Sequence, residues 1–155
     1  MKLKKVLVAY LSKSGKTEMM AQYIAEGVRF TGNQAETRKI DDISSSHELQ
    51  GYDGFILGAP TYYQDLPEEA KKFLELMKTL NLNGKLAGAF ASYRHEVGYT
   101  KGGQSADIAL DFMEDTLKMM RFELGALKLK DDMVDTVDGM RACQDYGKIF
   151  AQSLY

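Results

Sequence analysis

Cysteine is almost missing from this sequence: Cys143 is the one residue of its kind. No disulfide can close within the chain, so a small secreted scaffold held by cross-links is excluded and a reducing cytoplasm is the expected setting. The thiol itself is expected to be a small residue in the last helix. Histidine is nearly as scarce, with only His47 and His95, and no Cys/His cluster has the spacing of a metal site. His47 falls in a serine-rich connection and is expected at the surface. An excess of charge is also lacking: 20 Lys and Arg face 22 Asp and Glu, a formal net charge of −2. A nucleic-acid binder would need a basic face. Long apolar runs are absent too. Met1-Lys2-Leu3-Lys4-Lys5 and the run Val6 to Leu11 faintly resemble a secretion signal, but the run is too short and Lys13 and Lys16 break the stretch after it. Nothing approaches the length of a membrane span. Without repeats, low-complexity tracts or linkers, the 155 residues are expected to form one domain, 1–155.

What the sequence does have is alternation. Apolar strand-like runs trade places with helical patterns: a strand over Lys4 to Tyr10, a helix over Thr17 to Phe30, and a short polar strand over Ala35 to Ile40, expected at a sheet edge. The connection from Asp41 to Asp53 has room for one helical turn near His47 to Leu49. A third strand, Gly54 to Ala59, is ended by Pro60. Pro67 opens the next helix at its first turn, with Phe73, Leu74, Met77 and Leu80 as its apolar stripe. A strand over Leu86 to Ala91, a glycine-rich loop from Tyr93 to Gly103, a helix over Ser105 to Arg121, a strand over Glu123 to Leu129 and a helix over Thr136 to Ser153 complete the chain. Met119, Met120 and Phe122, at the end of the fourth helix, are expected in the core, the alternative being part of a dimer face. Strict alternation of this kind indicates an α/β domain with a parallel sheet covered on both faces. Ligands of such sheets bind beyond the carboxyl ends of the strands, where the order reverses. Ser12 to Thr17, Pro60 to Asp65 and Ser92 to Gly103 leave those ends.

The first of these loops carries the strongest chemical signal. Val6 to Leu11 runs into Ser12-Lys13-Ser14-Gly15-Lys16-Thr17 and then into a helix with Met20, Ile24 and Val28 four residues apart. Strand, tight hydroxyl-and-glycine turn and helix start place backbone N–H groups and the positive helix end at one spot, which suits a phosphate group. A nucleoside-triphosphate loop would need a glycine where Tyr10 stands and a magnesium-binding acid where the third strand ends in Gly58-Ala59-Pro60. A phosphomonoester held by the hydroxyls of Ser12, Ser14 and Thr17, with Lys13 and Lys16 adding charge, remains. The plainer alternative is an ordinary helix N-cap by Ser14 or Thr17.

Ser12-Lys13-Ser14-Gly15-Lys16-Thr17 resembles the phosphate loop of the flavodoxin family, S/T-x-T-G-x-T, with Ser14 in place of the usual threonine. Gly58-Ala59-Pro60-Thr61-Tyr62 followed by Leu66-Pro67 is similar to the family's second flavin loop, in the form found in flavodoxin modules of flavodiiron proteins and in related quinone reductases. The likeness extends over the whole chain. It implies a three-layer, doubly wound, five-stranded parallel sheet of order 2-1-3-4-5, with FMN as cofactor where strands one and three part. That strand order belongs to the family and is not a reading of these residues. The resemblance places Ser12, Lys13, Ser14, Gly15, Lys16 and Thr17 on the FMN phosphate. Pro60, Thr61, Tyr62 and Tyr63 would border one side of the flavin ring, and Ser92, Tyr93, Arg94, Gly98 and Tyr99 the other. A flat, polarisable ring stacks on tyrosine and is screened from water there.

The resemblance implies an electron carrier working between a reductase and an acceptor protein, as a monomer or weak dimer. Acids after the second loop (Asp65, Glu68, Glu69) and after the third (Asp107, Asp111, Glu114, Asp115) would steer such partners, or simply favour helix starts. The alternative is an NAD(P)H-dependent FMN oxidoreductase acting on quinones. Thr61 to Leu66 lacks the glycine whose peptide flip stabilises the one-electron form of the flavin in typical flavodoxins, and the chain has no tryptophan. His95 could donate a proton to a reduced acceptor and Arg94 could attract an anionic substrate. A module that has lost FMN is disfavoured by the hydroxyl loop, and a receiver domain by the lack of acids at Tyr10-Leu11-Ser12.

Overall fold

The first apolar run forms the central strand. In the computed structural model, which describes residues 3–11, 15–61, 67–93, 110, 111, 113–118, 120–122 and 124–155, β1 spans Lys5–Tyr10 and is buried from Val6 on. Then come α1 (Lys16–Phe30), β2 (Gln34–Lys39), two short 3-10 turns (Ile40–Asp42 and Ser46–Leu49), β3 (Gly54–Thr61), α2 (Glu68–Lys78), β4 (Leu86–Tyr93), β5 (Leu127–Lys130), the one-turn α3 (Asp131–Val134) and α4 (Val137–Gln152). Residues 110, 111 and 113–116 are helical as well. The five strands are parallel in the order β2-β1-β3-β4-β5. Polar β2 lies at an edge, where one flank of its backbone can face water.

Alternation along the strands separates two cores. Leu7, Ala9, Phe55, Leu57, Ala87 and Ala89 face α2 and the helical residues around Met113. Val6, Val8, Ile56, Leu86 and Phe90 face α1 and α4. Cys143, in α4, is completely buried in the second core, and burial pushes its thiol up to about 12, so it is a packing residue and not a nucleophile. Met120 and Phe122 also pack into the core, and His47 is exposed. α1 and α4 approach so closely that a β-carbon on Gly27 would lie 1.9 Å from the Gln144 carbonyl oxygen, and one on Gly147 would lie 2.0 Å from that of Ile24.

Three differences from the sequence reading matter for the site and the sheet edge. Pro60 does not end its strand: β3 continues to Thr61, pairing Pro60 with Ser92 and Thr61 with Tyr93. The Gly58 carbonyl accepts from Leu11 N–H on the β1 side. Two residues on, the nitrogen of Pro60 faces that same side, beyond the end of β1, so no ladder bond is lost. Pro67 is the N-cap of α2, one position before its first helical residue.

The third difference is at the far edge. Arg121 is not helical but makes an isolated bridge with Leu86, and β5 proper begins only at Leu127, opposite Phe90. Leu86 to Phe90 advances four residues while Arg121 to Leu127 advances six, so the edge detours between them. The hydroxyl of Tyr146 in α4 fills the gap: it accepts from Ala89 N–H at 3.2 Å and donates to the Ala89 carbonyl at 3.4 Å.

Candidate functional site

β1 lies between β2 and β3, and the chain leaves β1 to one side and β3 to the other. The strand order therefore reverses between them, leaving a crevice at their carboxyl ends. α1 starts there. Its N-cap is Gly15, in the left-handed conformation with φ 86°. The N-cap position is thus Gly15 and not Thr17, because the turn needs a left-handed residue and glycine takes that place without steric cost; Ser14, the other candidate, lies outside the described residues. A β-carbon on Gly15 would meet none of the described residues within 4 Å.

Thr17 sits in the first turn of α1 and is almost wholly buried, at 1% exposure. Its Oγ1 lies 2.8 Å from Oγ of Ser92, which is equally enclosed near the end of β4. The structure thus brings together members of the expected phosphate group and of the expected ring group. Lys16, the first residue of α1, holds Asp135 through Nζ and Oδ2 at 3.2 Å. Tyr10, at the end of β1, donates to Glu18 Oε1 at 2.8 Å. Burial first, and then the Glu18 carboxylate, push the Tyr10 phenol up to about 12. Pro60 and Thr61 run along β4 beside Ser92 and Tyr93.

Gly15, Lys16, Thr17, Pro60, Thr61, Ser92 and Tyr93 therefore converge on one end of the sheet. Ser12, Lys13, Ser14, Tyr62, Tyr63, Arg94, Gly98 and Tyr99 lie outside the described residues, as do His95, Asp65, Asp107 and Met119. Glu68 and Glu69 form the first turn of α2, where carboxylates complement the helix end. Glu114 is half-buried, and burial together with neighbouring Asp111 raises its carboxyl above the usual range. Sequence reasoning missed Glu18 and Asp135. No local pattern marks either: Asp135 meets Lys16 from 119 residues away, at the packed face between α1 and α4.

A helix started by a left-handed glycine at the switch point, beside a buried hydroxyl pair, has the architecture of the doubly wound α/β class and suits a phosphate group. The comparisons make this specific. A flavodoxin family model matches residues 8–141. A flavodoxin from Clostridium saccharobutylicum is 38% identical over 107 residues, which cover 68% of this chain and 62% of that protein. An NAD(P)H dehydrogenase (quinone) from Acidovorax ebreus is 32% identical over 113 residues, 58% of this chain and 56% of that protein. The chain thus spans less than two thirds of the length of either relative. The crystal structure of oxidised Flavodoxin 1 from Bacillus cereus superposes with a TM-score of 0.83 at 30% identity, covering 98% of this chain and 100% of that one. The chain belongs to the flavodoxin family, whose cofactor is FMN. The donor set fits that group, since hydroxyls and the N–H groups of a helix start are phosphomonoester ligands. Among the described residues no helix is long and apolar enough to cross a membrane.

Proposed function

We propose that this chain carries electrons between redox partner proteins, with FMN held at the head of α1. The observation that carries the proposal is the arrangement at the switch point: a left-handed Gly15 starting α1, over a buried hydroxyl pair that joins α1 to β4. Bound FMN supplies the redox chemistry by taking up and releasing electrons. The chain's own residues hold and shield it. Ser12, Lys13, Ser14, Gly15, Lys16 and Thr17 take the phosphate. Pro60, Thr61, Tyr62 and Tyr63 border the ring on one side, and Ser92, Tyr93, Arg94, Gly98 and Tyr99 on the other, excluding water. Glu68 and Glu69 lie beside this end and favour an approaching basic partner surface. In this reading residues 1–155 act as one domain, as a monomer or weak dimer, in a reducing cytoplasm.

A second reading rests on the quinone-reductase relative: direct reduction of the flavin by NAD(P)H and of a quinone by the flavin. One experiment separates the two. The absorption spectrum of the purified chain is recorded with FMN, and then after NADH or NADPH. A carrier gives a bound-flavin spectrum that stays oxidised with the nicotinamide. Rapid bleaching selects the reductase, and no flavin binding would refute both.

A further inference from the structure

We infer that Asp135 sets the charge at the phosphate-binding end by holding the ammonium group of Lys16. The inference rests on the assignment of residues 12–17 to the FMN phosphate. Lys16 opens α1, where a cation faces the positive end of the helix and is electrostatically misplaced. Its Nζ lies 3.2 Å from Asp135 Oδ2, with the two side chains 28% and 54% exposed. Asp135 is well fixed for this. It directly precedes Thr136, the N-cap of α4, whose hydroxyl accepts from Gly139 N–H at 3.1 Å. α4 in turn is locked against α1 by the close contacts at Gly27 and Gly147.

The other ionisable group of that first turn is Glu18, which accepts the Tyr10 hydroxyl. The charge of Lys16 is thus largely spent on Asp135 and adds little attraction for a phosphate at the head of α1. Asp135 is therefore a positioning residue that acts through Lys16 on phosphate binding.

The test is Asp135→Asn in the full chain. Flavin-free protein is titrated with FMN, riboflavin and inorganic phosphate over a range of salt. Freed from its partner, Lys16 should tighten FMN about threefold to tenfold at low salt, as expected for one partly screened charge. That gain should shrink as salt rises. Inorganic phosphate should follow FMN, and riboflavin, which has no phosphate, should be unchanged. Unchanged or weaker FMN binding overturns the inference, and so does an equal change for riboflavin, which would report a general disturbance. The same Asp135→Asn change in a Lys16→Met background should do nothing. A gain there would mean that Asp135 repels the phosphate directly, and would also overturn it. If the unaltered chain binds riboflavin as tightly as FMN, the phosphate-loop assignment itself fails, an outcome distinct from a silent Asp135→Asn.

Discussion

Thr17 Oγ1 and Ser92 Oγ lie 2.8 Å apart in a buried contact, although 75 residues separate them in the chain. The contact ties the first turn of α1 to the end of β4, and so joins the two loops on which the cofactor assignment depends. Replacing Thr17 by the isosteric valine takes this partner from Ser92 in a place water does not reach. The expected loss of stability is that of one hydrogen bond, about 0.5–1.5 kcal/mol. Thr17→Val together with Ser92→Ala removes both polar groups and should recover part of that loss. FMN binding should stay weakened in the double variant, and riboflavin binding, which feels only the loss of the ring-side Ser92 hydroxyl, should weaken less. Urea unfolding and flavin titration check the two halves separately. A double variant with full FMN affinity would show that neither hydroxyl serves the phosphate.

Gly15 makes a different kind of contribution. Because a β-carbon there would meet no described residue within 4 Å, the cost expected of Gly15→Ala is conformational. At φ 86° the cost for an L-residue is roughly 1–2 kcal/mol. Gly15→Asn should cost less, since asparagine tolerates the left-handed region better. Thermal unfolding of the three proteins should rank them glycine, asparagine, alanine. An alanine variant as stable as the parent would mean that the helix start can relax to another conformation.

The gap at the β5 edge predicts a role for Tyr146. Its hydroxyl serves both the N–H and the carbonyl of Ala89 where the neighbouring strand detours. Tyr146→Phe keeps the ring packed but leaves those backbone groups without it, and should cost about 1–3 kcal/mol. Hydrogen exchange at Ala89 should accelerate relative to Val8 in the same sheet. Equal protection at both positions would show that the detour closes up and supplies a backbone partner instead.

The elements legible in the sequence are those whose signal is local. Val6 to Leu11, Gly54 to Ala59 and Leu86 to Ala91 are unbroken apolar runs, and the strands formed over them. Met20, Ile24 and Val28 keep a helical interval, and all three are buried against the sheet. The phosphate-loop pattern led to Gly15 and Thr17 and to the family. The misread boundaries depend on distant partners. Pro60 can continue β3 only because β1 has already ended beside it, and strand five starts late because Tyr146, from another element, fills the space. Lys16 with Asp135 is likewise invisible before α1 and α4 are packed together.

Glu48 makes the fold sensitive to acid. It receives Arg38 Nη2 at 2.9 Å and the backbone N–H groups of Ser44 and Ser45 at 2.9 and 3.1 Å. The Arg38 hydrogen bond first, and then these two N–H groups, hold its carboxyl down at about 2. In the unfolded chain the same group titrates near the ordinary glutamate value of about 4.3. The folded value is the lower one, so the unfolded state binds the proton more readily in between. The stabilisation is present above about pH 4.3 and is lost as the pH falls towards 2. Glu36, lowered by the Tyr52 hydroxyl and by Lys5, adds a contribution of the same sign. Glu48→Gln should therefore be less stable than the parent at neutral pH. The gap should narrow through that acid window as the parent's carboxylate is protonated. Urea midpoints measured against pH for both proteins test this. A gap that stays constant with pH would mean that the glutamine loses packing and not charge.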